Sequence, residues 1–140
     1  MLEAYCNNGS IMDSDESSGY NILKFDTVPE QIWHSSTMSK DMKTIVLNLP
    51  GLYTVEFYAS FGCSASAPQT SYALFADDKM VIQAKSTEGA GAGTKGNVSF
   101  STRVRCGVGE KANKLQIRCV EGGGDLLNAG IIVRFLGHNT

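Results

Sequence analysis

From Tyr53 to Phe61 the chain alternates in character. Tyr53, Val55, Phe57, Ala59 and Phe61 are apolar or aromatic, and Thr54, Glu56, Tyr58 and Ser60 fall between them. A strand sends successive side chains to opposite faces, so this spacing predicts a long strand with one core face. Wound as a helix, the same apolar side chains would be smeared around its circumference. Pro50-Gly51 supplies a turn that launches the strand. The second face is not purely polar. Tyr58 puts a large ring beside Thr54 and Glu56, which predicts a partly covered face.

The same reading extends along the chain. Leu2, Ala4 and Cys6 alternate with Glu3 and Tyr5, predicting a short first strand. Residues 22–25 form a second, ended by Pro29. Residues 31–34 read as a brief strand or turn, with Trp33 assigned to core or interface packing. Residues 35–43 read as a polar loop and 44–49 as a strand closed by Pro50. Residues 71–76 and 79–84 pair as a hairpin across Asp77-Asp78, two acidic residues that suit a tight turn. In the strand over 97–106, Val98, Phe100, Val104 and Cys106 point inward, while Asn97, Ser99, Ser101, Arg103 and Arg105 point outward. Over 114–119, Leu115, Ile117 and Cys119 point inward. Residues 131–136 are apolar on both faces, as a central strand is. About eight to ten short strands without a helix predict an all-β fold, a single-domain antiparallel β-sandwich or jelly roll.

Composition narrows the function more than the fold. A chain of 140 residues fits one domain and buries roughly two-thirds of its unfolded surface, so folding requires neither metal nor disulfide. Residues 1–19 read as an N-terminal arm with a possible short strand, and 20–137 as the domain. A net charge of −2 argues against a nucleic-acid surface. No stretch approaches the ~20 apolar residues of a membrane span, so no membrane insertion is expected. Residues 1–10 have no basic start and no apolar run, so no signal peptide is read in them. The four cysteines, Cys6, Cys63, Cys106 and Cys119, contain no C-x-x-C pair, which argues against zinc. Cys106 and Cys119 lie on successive strands and could face each other across a hairpin. Free buried thiols and a disulfide both stay open.

Several motifs are formal matches only. Residues 13–19 carry alternate oxygen-bearing side chains like a calcium loop, but Ser18 stands where glycine is required and Lys24 where the closing glutamate belongs. Gly91-x-Gly93-x-x-Gly96 has the spacing of a dinucleotide loop but leads into a strand, not a helix. The two histidines belong to no metalloprotease motif, and no nucleophile elbow or phosphate loop is present. No enzyme activity and no cofactor are therefore expected. Asn8-Gly9-Ser10 and Asn97-Val98-Ser99 are formal glycosylation acceptors. Loops on a rigid scaffold carry much binding. This makes 62–69, with Ala65 and Ser66, and 86–96, with Gly91 and Gly93, partner-binding candidates. Arg103, Arg105 and Arg118 are read as sharing one outward face, either solvated or intersubunit, or else anion-binding.

Taken together these segments resemble the complement C1q and tumour necrosis factor jelly-roll superfamily. Phe25-Asp26-Thr27-Val28 is similar to the family's opening. Leu49-Pro50-Gly51-Leu52-Tyr53-Thr54-Val55-Glu56-Phe57 is similar to its central strand signature. Gly109-Glu110 with Leu115-Gln116-Ile117 loosely matches a later element, and residues 130–136 the closing strand. The resemblance implies a homotrimer with large inner-sheet side chains at a threefold axis, making Tyr53, Phe57 and Tyr58 candidates for packing or the trimer interface. It implies a non-enzymatic structural or binding module. With no export signal or collagen repeat in view, a phage virion protein is favoured, either a head-decoration or a fibre module, with a capsid or tail protein or a host-surface receptor as partner. The alternative is a secreted or surface-displayed adhesion or signalling ligand, or a small glycan-binding domain.

Overall fold

The computed structural model describes residues 1–6, 12–15, 20–29, 35–63, 70–85, 95–107, 113–121 and 124–137. All of their regular structure is β. The strands are β1 (Leu2–Cys6), β2 (Met12–Asp15), β3 (Tyr20–Leu23), β4 (Ser36–Met38), β5 (Ile45–Leu47), β6 (Gly51–Cys63), β7 (Ser71–Ala76), β8 (Lys79–Lys85), β9 (Lys95–Cys106), β10 (Lys114–Glu121) and β11 (Gly124–Gly137). They form two antiparallel sheets. A four-stranded sheet has the order β1-β11-β6-β9. In the seven-stranded sheet β10 is the hub: β7 and then β8 lie on one edge, and β3 with β2 and β5 with β4 share the other.

The alternation on β6 is realised as expected. Tyr53, Val55, Phe57, Ala59 and Phe61 are all buried, while Glu56 and Tyr58 are exposed. They meet Leu74, Tyr72, Leu115 and Ile117 from the facing sheet in one core. Phe57 packs against Tyr72 and Phe100, with ring centroids 6.0 and 5.3 Å apart, and Phe61 packs against Tyr72 at 6.0 Å. Such tilted ring pairs add a little beyond their buried area. The Tyr53 hydroxyl is satisfied inside this core. It accepts from the Leu49 N–H at 3.1 Å and lies within donating distance of the Leu49 and Ser35 carbonyls. One phenol thus anchors the bend ahead of Pro50-Gly51.

Three local expectations change. Residues 36–38 are a strand, β4, where the sequence reads as a loop. Ser36, Thr37 and Met38 pair with Leu47, Val46 and Ile45, and this ladder carries a segment too short to show alternation of its own. Residues 12–15 likewise form β2 on the edge of β3, although Asp13, Ser14 and Asp15 are polar. Cys106 and Cys119 lie in different sheets, so they do not face each other across a hairpin. Cys6 and Cys106 are free buried thiols. The first strand pairs with β11 along its length, from Leu2 opposite Val133 to Cys6 opposite Ala129. As expected, β11 is central, lying between β1 and β6. Residues 31–34, including Trp33, lie outside the described residues.

Candidate functional site

Two outer faces remain once the core is closed. The outer face of the four-stranded sheet is nearly flat in chemistry. On β9, Asn97, Ser99, Ser101, Arg103 and Arg105 are exposed, as expected. Across the strands, Tyr58 lies opposite Gly130, and Gly130 lies opposite Tyr5. A Cβ on Gly130 would collide with the Tyr58 ring, so the missing side chain lets that ring lie down on the sheet. Tyr58 is nevertheless 46% exposed, and Leu136 on the same face 52%. Tyr5 donates to Glu3 at 2.9 Å, and this bond is the first cause of its raised pKa. Tyr53 and Phe57 are absent from this face because both point into the core. Of the three aromatic candidates, only Tyr58 is available to another molecule.

The outer face of the seven-stranded sheet is built differently. The Asp77-Asp78 turn between β7 and β8 has positive φ at both residues, 47° and 68°. This is the two-residue hairpin geometry that matches strand twist and favours Asp, Asn and Gly. The turn sends its carboxylates in different directions. Asp77 accepts from the backbone N–H groups of Asn113 and Lys114 at 2.9 and 3.1 Å, pinning the start of β10. Asp78 accepts from Arg118 Nη2 at 2.5 Å. The sequence presents Asp77-Asp78 only as a tight turn. Here both line one open groove of about 770 Å³, but each serves a different partner.

Arg118 lines that groove and is only 4% exposed. Its guanidinium lies 4.3 Å above the Phe75 ring, a cation–π arrangement. Gln116 Oε1 accepts from Nε at 3.1 Å and from Nη2 at 2.7 Å. Gln116 in turn donates to Thr44 Oγ1 at 2.9 Å. Ile22 and Ala73 stand opposite Arg118 on the two flanking strands, and both are buried. At the other side of the groove, Asp41 accepts from the Ser39 hydroxyl and the Lys43 N–H. The Ser39 bond is the main reason its pKa is lowered.

The three arginines expected on one face are therefore not together. Arg103 and Arg105 stand on β9 in the four-stranded sheet, and Arg118 stands on β10 in the other. Alternation gives each side chain a face of its own strand and says nothing of which sheet the strand joins. Ala65, Ser66, Gly91 and Gly93 lie outside the described residues. Sequence reasoning missed the groove through Phe75. All of β7 from Ser71 to Phe75 is buried, and a strand apolar on both faces signals that its outer face is covered too. Among the described residues, no group of three or more His, Cys, Asp or Glu is placed to hold a metal ion.

No family model and no curated protein matches the chain in sequence. Solved structures do match in shape. The globular domain of zebrafish complement 1qA protein aligns with a TM-score of 0.73 at 14% identity, covering 99% of this chain and 98% of that one. Eiger TNF from S. frugiperda aligns with a TM-score of 0.64 at 12% identity, covering 99% and 94%. Murine APRIL aligns with a TM-score of 0.65 at 6% identity, covering 96% and 98%. Identities this low speak for architecture and not for activity. The strand order, the two-sheet core and these matches agree: the chain has the C1q/TNF-like jelly-roll fold.

Proposed function

We propose that this protein is a non-catalytic binding module that works as a homotrimer and associates through the outer face of its four-stranded sheet. The carrying observation is Tyr58, a large ring laid over Gly130 and left 46% exposed at the middle of that sheet. Exposed apolar surface of this kind marks association sites more often than solvent-facing skin. Leu136 and the half-buried Leu52 and Ile132 extend it across β6 and β11. Closed symmetric assembly is the usual way for one chain to cover such a face. The partner of the assembled module is a cell-surface receptor, and its setting is extracellular. The likeness in fold to complement 1qA, Eiger TNF and APRIL favours that reading. None of those named is a virion protein, so the head-decoration or fibre role finds no support among them.

Light scattering tests the assembly. Wild-type protein at micromolar concentration should have a mass of about 45 kDa, three times that of the 15.0 kDa chain. Tyr58→Asp should shift the mass to the monomer while leaving the β-sheet spectrum intact. A wild-type monomer would remove this reading.

A further inference from the structure

We propose that the groove on the outer face of the seven-stranded sheet binds a carboxylate on Arg118, and that Asp78 occupies this position as a built-in stand-in. The site lies on the opposite face of the sandwich from the surface assigned to self-association, and does not depend on it.

The argument rests on the donor count of one guanidinium. Arginine offers five N–H donors in a planar fork. The edge formed by Nε and Nη2 is taken by Gln116 Oε1. The second hydrogen of Nη2 goes to Asp78 Oδ1 at 2.5 Å. Nη1 makes no hydrogen bond with any described residue, and it is not among the atoms sealed from solvent. The outer edge of the fork is thus half used. A carboxylate has two oxygens at the spacing of that edge and can fill both places.

The two partners of the existing pair are unequally placed. Arg118 is 4% exposed and Asp78 86%. The arginine is held by Phe75, Gln116 and its neighbours in register, whereas Asp78 rides on the tip of a two-residue turn. An incoming carboxylate that takes the place of Asp78 leaves the buried guanidinium paired, and the released Asp78 returns to water, so the exchange avoids the cost of an unpaired buried charge. The buried cation remains in place to receive the next. The rim also selects. Asp41, Asp77 and Asp78 line the same groove, and their negative charge disfavours a doubly charged phosphate or sulfate more than a singly charged carboxylate. An acidic side chain of a partner polypeptide and a small free acid both present the required group.

Titration of the full chain followed by NMR tests this, reading the Arg118 Nε–H and the backbone amides of Asn113 and Lys114. The probes are N-acetyl-L-glutamate N-methylamide, acetate and sulfate. Asp78→Asn removes the resident carboxylate, and Asn tolerates the left-handed turn conformation, so the hairpin is kept. It should tighten binding of the blocked glutamate at least fivefold over wild type, with sulfate binding more weakly than either carboxylate. Asp41→Asn removes the same charge elsewhere on the rim and should change affinity less than twofold. Arg118→Lys, which loses the fork, should abolish the shifts. If that variant is unfolded, the Asp78→Asn comparison decides alone. A threefold preference for the blocked glutamate over acetate assigns the site to an acidic side chain, and equal binding assigns it to a free acid. The proposal is overturned if Asp78→Asn leaves affinity unchanged, if Asp41→Asn raises it equally, or if sulfate binds as well as the carboxylates.

Discussion

The two outer faces of this sandwich carry similar sequences and opposite fates. On β9 the outward positions hold serines and then Arg103 and Arg105, and all are exposed. On β10 they hold Gln116 and Arg118, half-buried and buried. The polar residue types are alike and the alternation is alike. What differs is the company on the neighbouring strands. β9 is an edge strand with β6 on one side alone, where Thr54 stands opposite Arg103 and the half-buried Leu52 opposite Arg105. β10 lies between Phe75 and Ala73 on one side and Ile22 on the other, all buried. A charged side chain is buried by what flanks it, and alternation along one strand carries no record of that.

The strongest test attacks what the faces have in common. Phe57→Ala empties a core position between Tyr72 and Phe100 and should cost about 3–5 kcal/mol in chemical denaturation. A loss below about 1 kcal/mol would reverse the facing of β6, and with it the identity of both outer faces. The next test sets one face against the other. Arg118→Ala removes a packed stem, a cation–π contact and two bonds to Gln116, and should cost about 2 kcal/mol. Arg103→Ala should stay within about 0.5 kcal/mol. Equal costs would mean that the burial of Arg118 has no energetic consequence.

A smaller effect separates the sealed interior from both faces. Burial first, and then the charge of Asp26, push the Cys6 thiol up to about 12 from its ordinary 9.0. Burial also raises Tyr72 and Tyr53 above the usual tyrosine range. Each of these groups is neutral in the fold and ionises more readily once unfolded. Their contribution is therefore complete below pH 9 and is lost as pH rises through the folded values. The Tm should be flat from pH 7 to 8.5 and then fall, by roughly several degrees up to pH 11. Cys6→Ala should make that fall shallower. A Tm that falls equally in both proteins would assign the loss to other groups. The least effect belongs to the exposed pair Glu56–Arg134, 3.7 Å apart. In the monomeric Tyr58→Asp background, Glu56→Gln should change stability by less than about 0.5 kcal/mol, and a larger change in thermal melts would show that the pair is more than a solvated contact.

Much of this architecture is legible in the chain because strands with one wet face announce themselves. Tyr53 through Phe61, Val98 through Cys106 and Leu2 through Cys6 each alternate, and each is a strand with the expected facing. Ser36–Met38 and Met12–Asp15 each offer a single apolar residue, too few to show a period, and are strands beside Ile45–Leu47 and Tyr20–Leu23. Such edges depend on partners far along the chain and leave no local periodicity. The groove fails for a related reason. Asp78 and Arg118 are forty positions apart, and only the β7–β10 ladder, which sets Ala73 opposite Arg118, brings the turn over the arginine.

The placement of β11 has a consequence for how the molecule comes to exist. Its partners β1 and β6 begin at Leu2 and Gly51, yet neither is joined to the other until β11 lies between them. During synthesis, N-terminal first, the ribosome releases β11 after β1 to β10. Until then the apolar rows of β1 and β6 wait without their shared neighbour, and contacts spanning more than a hundred residues form last. The β7–β8 hairpin, closed by its Asp77-Asp78 turn, needs no such wait. The nascent chain therefore holds an early hairpin and an unfinished sheet. Chaperone engagement should fall on the second, in the interval between the emergence of Phe61 and that of Val133.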